Sequence, residues 1–145
     1  MRNIRKLTVF TILLAACGSA IGADLRVEIN NADPSSGRVY FALFDSAAEY
    51  DAFQMHARAR SEKDSEVPHA VFPDLAAGEY GVAVFQDTNG NLKLDTDEWG
   101  IPAEPYGFSR NAEAERGRPD FEATAIQLPA GDETLTVEIA LTSRN

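Results

Sequence analysis

Apolar and polar residues alternate in several short runs along this chain. The runs include residues 25–29, 39–44 and 80–84, with 121–128 and 135–141 as the last two. Period-two alternation puts every second side chain on one face of a β-strand. Turn-forming sequences such as NADPSSG and LPAGDE separate some of the runs, and residues of this kind favour reversals of the chain. The pattern therefore predicts a protein built mainly from short strands.

The first two runs are predicted to pair with each other, because the turn sequence between them favours a hairpin. Tyr40, Ala42 and Phe44 make both faces of the second run apolar. A strand with two apolar faces is typically covered on both sides. The second run is therefore predicted to be a central strand.

One stretch, residues 46–63, follows a different period. Its apolar residues recur at helical spacing, at Ala47, Tyr50, Phe53 and Ala57. This spacing predicts a short helix with Asp45 or Ser46 as its N-cap. The two histidines of the chain, His56 and His69, are not predicted to belong to a metal-ligand cluster.

The order of these elements predicts the fold class. About seven short strands separated by turns, with one short helix, are typical of an all-β immunoglobulin-like or transthyretin-like β-sandwich. Residues 24–145 contain no internal repeat and no long linker, so they are predicted to form a single domain. Periodicity alone does not predict the strand order.

Residues 1–23 have the features of an export signal. Three basic residues precede the apolar run 7–16, and small residues follow it up to Ala23. The ten-residue run is too short to anchor the chain across a bilayer, which needs about 20 residues. We therefore predict cleavage after Ala23 and a periplasmic or secreted protein.

Cys17 offers an alternative to that processing. The sequence Leu14-Ala15-Ala16-Cys17 resembles the lipobox of bacterial lipoproteins, in which the cysteine becomes the acylated first residue. Residues 1–16 would then be a lipoprotein signal, and the protein would be tethered to the outer membrane. Without lipidation at Cys17 no membrane partner is predicted.

The charge of the chain limits its partners. Loss of the three basic residues of the signal takes the formal net charge from −10 to −13. Nucleic acid is excluded as a partner, because its phosphates are also negative. Divalent cations and cationic ligands fit such a surface better.

Oxygen-bearing residues recur at alternate positions in residues 87–98, DTNGNLKLDTDE. The spacing is similar to that of a calcium loop, in which alternate side chains turn inward toward the ion. Ca²⁺ takes about 6–8 oxygen ligands at about 2.3–2.6 Å. The predicted ligands are Asp87, Asn89, Asn91, the carbonyl of Lys93, Asp95 and Glu98.

This loop departs from the EF-hand pattern in two respects. Leu92 holds the sixth place, where the pattern has glycine for a sharp turn, and Gly90 comes two residues earlier. A strand-like run precedes the loop and two prolines follow it, so flanking helices are excluded. We therefore predict a calcium loop between β elements, with Leu94 directed toward the core. The alternative is an ordinary solvated acidic turn.

The segment 99–108 suggests a different function. Trp99, Tyr106 and Phe108 either pack against the fold or present rings to a ligand. Glu104 either adds a carboxylate to the calcium site or accepts hydrogen bonds from the loop backbone. If the aromatic rings of this segment contact a ligand, the protein is a metal-free module that binds a cell-envelope glycan or a protein partner.

The sequence provides little support for catalysis. After removal of the signal it has no Ser/His/Asp or Cys/His set, no Gly-rich phosphate loop and no histidine-rich metal site. Glu98 and Glu104 are a possible acid/base pair, but a chain of this size leaves little room for a substrate cleft. We therefore predict a non-catalytic protein with a structural or binding role.

The chain resembles a family of secreted bacterial proteins known as domain of unknown function 2141. The resemblance is carried by residues 78–109, by the preceding GRVYFALFD and by the following PDFEATAIQL. It covers nearly the whole mature chain. It implies an extracytoplasmic bacterial protein without an established activity, and it implies glycine where this chain has Leu92.

Overall fold

The computed structural model describes residues 22–115 and 117–143. Residues 1–21 of the predicted signal, with Cys17, lie outside the described residues, whereas Ala23, its last residue, begins the first strand. Within the described part, no helix combines the length and the apolar character needed to span a membrane.

Eight strands and three short helical segments make up the part of the chain that the structure describes. In chain order, the strands are β1 (Ala23–Ile29), β2 (Arg38–Phe44), β3 (Ala57–Arg60), β4 (His69–Leu75), β5 (Gly78–Asp87), β6 (Tyr106–Phe108), β7 (Ile126–Leu128) and β8 (Thr134–Ile139). The helical segments are α1 (Ala47–Asp51), a 3-10 turn (Ser109–Asn111) and α2 (Phe121–Thr124).

The strands form two sheets. One has the order β4-β1-β8, and the other has the order β3-β2-β5-β6, with β7 paired to the start of β5. The pairs are antiparallel except for β1 with β8, which are parallel. The prediction of an all-β sandwich is confirmed.

The predicted pairing of the first two runs is wrong. β1 pairs with β4 and β8, whereas β2 pairs with β3 and β5, so the two runs lie in different sheets. Both runs are still neighbours through their apolar faces, because Val27 and Phe41 are buried in one hydrophobic core. The turn sequence predicted a reversal of the chain, but it did not distinguish a hairpin from a crossing between sheets.

The main core lies between the two sheets. Alternate residues of β1, β2 and β5 are buried in it, as the period-two pattern predicts. Its buried members from these three strands are Ala23, Leu25, Val27, Ile29, Val39, Phe41, Leu43, Tyr80, Val82 and Val84.

The predicted helix is shorter than its apolar spacing indicates. Ser46 caps it as predicted, since its Oγ accepts a hydrogen bond from the Glu49 N–H at 3.3 Å. The helix ends at Asp51, and Phe53 adopts a left-handed backbone conformation with φ of +54°. Residues from Ala57 onward form β3 instead of a further helical turn, because they pair with β2. Backbone pairing with a neighbouring strand outweighs the local helical period here.

The predicted penultimate strand is also only partly correct, because its first half is α2 and only its second half is β7. α2 can lie close to the sheet because residue 81 is glycine. A Cβ at this position would stand 2.7 Å from Thr124 Oγ1 and 3.1 Å from the Phe121 ring. Phe121 joins Phe44 and Tyr50 in a second, smaller hydrophobic cluster. This cluster covers the outer face of β2 at Ala42 and Phe44. The prediction that β2 is a central strand is confirmed, because it lies between β3 and β5, and its second covered face is present at this end.

Candidate functional site

The predicted site occupies the acidic loop, residues 87–104, between β5 and β6. Its start is fixed by the sheet, because Asp87 ends β5 opposite Arg38 of β2. Gln86 adds a hydrogen bond from its Nε2 to the Asp33 carbonyl at 2.6 Å. A Cβ at Gly37 would lie only 1.9 Å from the Asp87 carbonyl oxygen, so only glycine fits beside this turn. The loop therefore begins from a rigid support.

Asp87 organises the first turn of the acidic loop. Its side chain is buried, with 3% of the residue exposed. Its Oδ1 accepts hydrogen bonds from the backbone N–H groups of Gly90 at 2.8 Å and Asn91 at 3.2 Å, and its Oδ2 accepts one from Leu92 at 2.9 Å. Leu92 has a φ of +66°, the left-handed conformation that glycine favours. The sharp turn of the pattern is therefore present although the sixth residue is leucine.

Three predicted ligands meet above this turn. The Asp95 carboxylate accepts hydrogen bonds from the side-chain amides of Asn89 and Asn91, the latter at 2.9 Å from each oxygen. The amide of Asn91, and then that of Asn89, lower the pKa of Asp95. Lys93 lies within the same turn, and its backbone N–H donates to Asn91 Oδ1 at 2.9 Å.

Glu104 closes the acidic loop from its far end. Its carboxylate is buried, with 4% of the residue exposed. One oxygen accepts hydrogen bonds from the backbone N–H of Thr88 at 2.7 Å and from its hydroxyl at 2.9 Å, and the other accepts one from the Asp95 N–H at 3.1 Å. Of the two predicted roles for Glu104, the structure has the hydrogen bonds to the loop backbone. The role of Thr88 as a partner was not predicted from the sequence.

The remaining predicted ligand, Glu98, stands apart from this group. Residues 95–103 form a small hairpin, in which the Asp97 N–H donates to the Ile101 carbonyl and the Ala103 N–H to the Asp95 carbonyl, both at 2.8 Å. Glu98 and Trp99 lie at its tip and are exposed. Within the described residues, the Glu98 side chain has no hydrogen bond or ion pair. The twelfth place of the pattern is therefore not brought to the other ligands.

Exposed apolar side chains surround the hairpin. Trp99 is 74% exposed and Leu92 is 66% exposed. Leu94 is also exposed, so the prediction that it points toward the core is wrong. Leu94 lies in the loop that stands off the sheet, where no core is within its reach.

The two aromatic residues of β6 differ in their accessibility. Phe108 is buried and packs within the fold, with 8% of the residue exposed. Tyr106 is half-buried and lines a groove of about 390 Å³, together with Phe108, Asn111 and Thr142. Of the predicted aromatic contacts, Trp99 is the most accessible.

A second group of potential ligands contains His56. One donor atom each from Asp45, Glu49 and His56 lies within 4.8 Å of the others. The sequence did not predict this proximity of His56 to two carboxylates, and whether the group binds a metal stays a prediction. The spacing of Asp45 and Glu49, four residues apart at the start of a helical pattern, was a usable signal, but the return of the chain to His56 depends on the pairing of β3 with β2.

One family matches most of this chain. The family is described as "Uncharacterized protein conserved in bacteria (DUF2141)", and its sequence profile matches residues 27–136. The chain belongs to the DUF2141 family. The resemblance seen in the sequence is thereby confirmed, and the matched region of DUF2141 includes the acidic loop and both strands beside it. No match was found among curated proteins or among solved structures.

Proposed function

We propose that this DUF2141 protein is an extracytoplasmic, non-catalytic β-sandwich whose acidic loop binds one Ca²⁺ ion. The observation that carries the proposal is the turn at Asp87, where three successive backbone N–H groups are held by one buried carboxylate. This arrangement leaves the side chains of Asn89, Asn91 and Asp95 close together on the open side of the turn.

The charge of the acidic loop supports a cation as its ligand. Residues 87–104 contain five carboxylates and one lysine. Mutual repulsion among carboxylates is relieved by a bound cation. Oxygen ligands with negative charge are those that Ca²⁺ prefers.

Ion binding requires a change in the two asparagine side chains. In the structure their amide nitrogens face Asp95, and in the bound state their oxygens would have to face the ion. Rotation of the two amides and of the Asp95 carboxylate would bring these oxygens, with one from Asp87, to a common centre. Glu98 would reach the ion only if the hairpin tip moved, so water is the expected ligand in its place.

Calorimetric titration with CaCl₂ tests the proposal. We expect one site with a dissociation constant of about 10⁻⁴–10⁻³ M, the range of extracellular modules. At 10 mM Ca²⁺ such a site stabilises the folded state by about 1.4–2.7 kcal/mol. Absence of both heat and a rise in melting temperature at this concentration would contradict the proposal.

Matched variants locate the site. Asp95→Asn removes one charge from the acidic loop, and we expect it to weaken Ca²⁺ binding at least about tenfold. Asp132→Asn makes the same change in the turn before β8, at the opposite end of β5, and should leave binding unchanged. Glu98→Gln should have little effect, because Glu98 stands apart from the other ligands. Equal losses in Asp95→Asn and Asp132→Asn would indicate a general charge effect.

The extracytoplasmic location rests on the N-terminal sequence, with a periplasmic or secreted protein favoured over an outer-membrane lipoprotein. Cell fractionation of the wild type and of Cys17→Ser tests this part. We expect both proteins in the soluble fraction. A wild type that sediments with membranes, together with an unprocessed Cys17→Ser variant, would support the lipoprotein.

A second candidate function is the recognition of an envelope glycan or a protein partner without metal. The exposure of Trp99, at 74%, favours it, because an exposed tryptophan at a hairpin tip is available for stacking. Trp99 is the single tryptophan of the chain, so its fluorescence reports directly on binding. A change in emission with peptidoglycan fragments in EDTA, lost in Trp99→Ala, would support this function, and a change that occurs only with Ca²⁺ would oppose it.

A further inference from the structure

Asp45, Glu49 and His56 meet at the end of β2 that is opposite the acidic loop. Arg38, at the other end of β2, pairs with Asp87. The seven residues of β2 span about 20 Å. The group is therefore separate from the proposed Ca²⁺ site.

The three members of the group lie at different places in the connection between β2 and β3. Asp45 follows β2, Glu49 lies in α1 and His56 precedes β3. The backbone at His56 is fixed, because its N–H donates to the Leu43 carbonyl at 2.8 Å. The backbone at Glu49 is fixed by the Ser46 cap. The group is therefore held by the fold and not by a single flexible segment.

The geometry points to a binding site for a divalent transition-metal ion such as Zn²⁺, with Asp45, Glu49 and His56 as its protein ligands, and we propose this site. The three donor atoms lie within 4.8 Å of one another. His56 Nδ1 is 3.0 Å from Asp45 Oδ2. In a tetrahedral zinc site with bonds of about 2.0–2.2 Å, donor atoms stand about 3.3–3.6 Å apart. Binding of an ion would therefore bring the most distant donor atoms closer together by about 1 Å.

One oxygen of the Glu49 carboxylate lacks a hydrogen-bond partner among the described residues. Its Oε2 is buried and accepts no hydrogen bond from any residue that the structure describes. A buried carboxylate oxygen without a partner is costly. The Asp45 carboxylate lies beside that of Glu49, with one oxygen of each group within 4.8 Å of the other. A metal ion would supply the missing partner and separate the two carboxylates.

The chemistry of the group selects the class of metal. Imidazole is a ligand for zinc, copper and nickel, and carboxylate oxygens complete such sites. The Tyr80 ring lies edge-on to the His56 imidazole, with ring centroids 6.2 Å apart. Asp45 and His56 are exposed, so water can occupy the remaining coordination position.

Titration with ZnCl₂ tests the site in protein purified without an affinity tag and treated with a chelator. We expect binding of one Zn²⁺ at this group and a shift of the His56 ring signals in the NMR spectrum, with those of His69 unchanged. His56→Gln and Glu49→Gln should each weaken this binding at least about tenfold. His69→Gln is the matched control, and its affinity should equal that of the wild type.

Three results would overturn the site. The first is no saturable binding at millimolar Zn²⁺, and the second is an equal response of both histidines. The third is a Zn²⁺ site that persists in His56→Gln but is lost in Asp95→Asn, which would put the metal in the acidic loop. The NMR measurement uses the wild type, so it tests the Zn²⁺ site even if a variant fails to fold.

Discussion

At the scale of single residues, Leu92 holds a backbone conformation that its side chain disfavours. A φ of +66° costs a residue with a Cβ about 1–2 kcal/mol. The carboxylate of Asp87 holds Leu92 in this conformation by accepting its N–H. The side chain recovers little of the cost, because it is 66% exposed. The interactions of Asp87 therefore carry this strain.

Leu92→Gly is expected to increase stability. It removes the strain of about 1–2 kcal/mol, and the greater entropy of the unfolded chain costs about 0.5–1 kcal/mol, so the free energy of unfolding should rise by up to about 1.5 kcal/mol. Leu94→Gly is the matched control, because Leu94 is outside the left-handed residues, and it should lower stability. Urea unfolding measures both. Equal losses in the two variants would show that Leu92 is not strained.

At the scale of elements, Ser109 joins three segments of the chain. It is fully buried, and its Oγ accepts a hydrogen bond from the Val82 N–H of β5 at 2.9 Å. The same hydroxyl donates to the carbonyl of Thr124 in α2. Ser109 itself begins the 3-10 turn after β6. One hydroxyl therefore satisfies the backbone where α2 and the turn meet the sheet.

Ser109→Ala is expected to lower the free energy of unfolding by about 1–3 kcal/mol, because it leaves a buried N–H and a buried carbonyl without their partner. Ser65→Ala, in the connection between β3 and β4, is the control and should change stability by less than about 0.5 kcal/mol. Thermal or urea unfolding gives the values. A loss in Ser109→Ala as small as the control would show that water replaces the hydroxyl.

Tyr50, in α1, is expected to make the stability of the protein depend on pH in the alkaline range. Burial raises the pKa of Tyr50 from 10.0 to about 12, against the opposing charge of Arg118. The unfolded chain therefore loses this proton first. The contribution to stability is fully present below pH 10 and is lost as the pH rises toward 12.

Tyr50→Phe tests this contribution. The variant loses the hydrogen bond from the Tyr50 hydroxyl to the Pro119 carbonyl, at 2.9 Å, and should be less stable at pH 7 by about 1 kcal/mol. Between pH 10 and 12, the stability of the variant should fall less steeply with pH than that of the wild type. The difference in slope corresponds to about one proton, which the unfolded wild type loses and the variant lacks. Urea unfolding at several pH values measures the slopes. Identical slopes would contradict the origin of the effect in Tyr50.

At the scale of the whole molecule, net charge opposes the compact state. The chain carries a formal net charge of −10, and repulsion among like charges destabilises a folded protein until salt screens it. Added NaCl is therefore expected to raise the melting temperature gradually. CaCl₂ at the same ionic strength should raise it further and with saturation. In Asp95→Asn, the response to CaCl₂ should fall to that of NaCl, and an unchanged excess would show that Ca²⁺ acts outside the acidic loop.

Part of the arrangement of the acidic loop could be predicted from the sequence, and part could not. Spacing alone identified Asp87, Asn89, Asn91 and Asp95 as neighbours, because alternate residues of a tight turn face the same side. The position of Glu98 was not predictable, because residues 95–103 fold back on themselves as a hairpin. The sequence left two roles open for Glu104, a metal ligand or an acceptor of hydrogen bonds from the loop backbone. The choice depends on which donors surround the buried carboxylate, and only the structure shows them.

The sequence by itself determined the all-β class, the alternate buried positions of the strands and the family, because each of these depends on local period or on residue identity. Only the tertiary structure decided how the strands pair. β1 and β8 are more than 100 residues apart in the chain, yet they lie side by side and parallel. The pairing of β3 with β2 turned residues 57–60 from a predicted helix into a strand and brought His56 to Asp45 and Glu49. Such contacts join distant segments through packing and backbone hydrogen bonds, which local patterns do not encode.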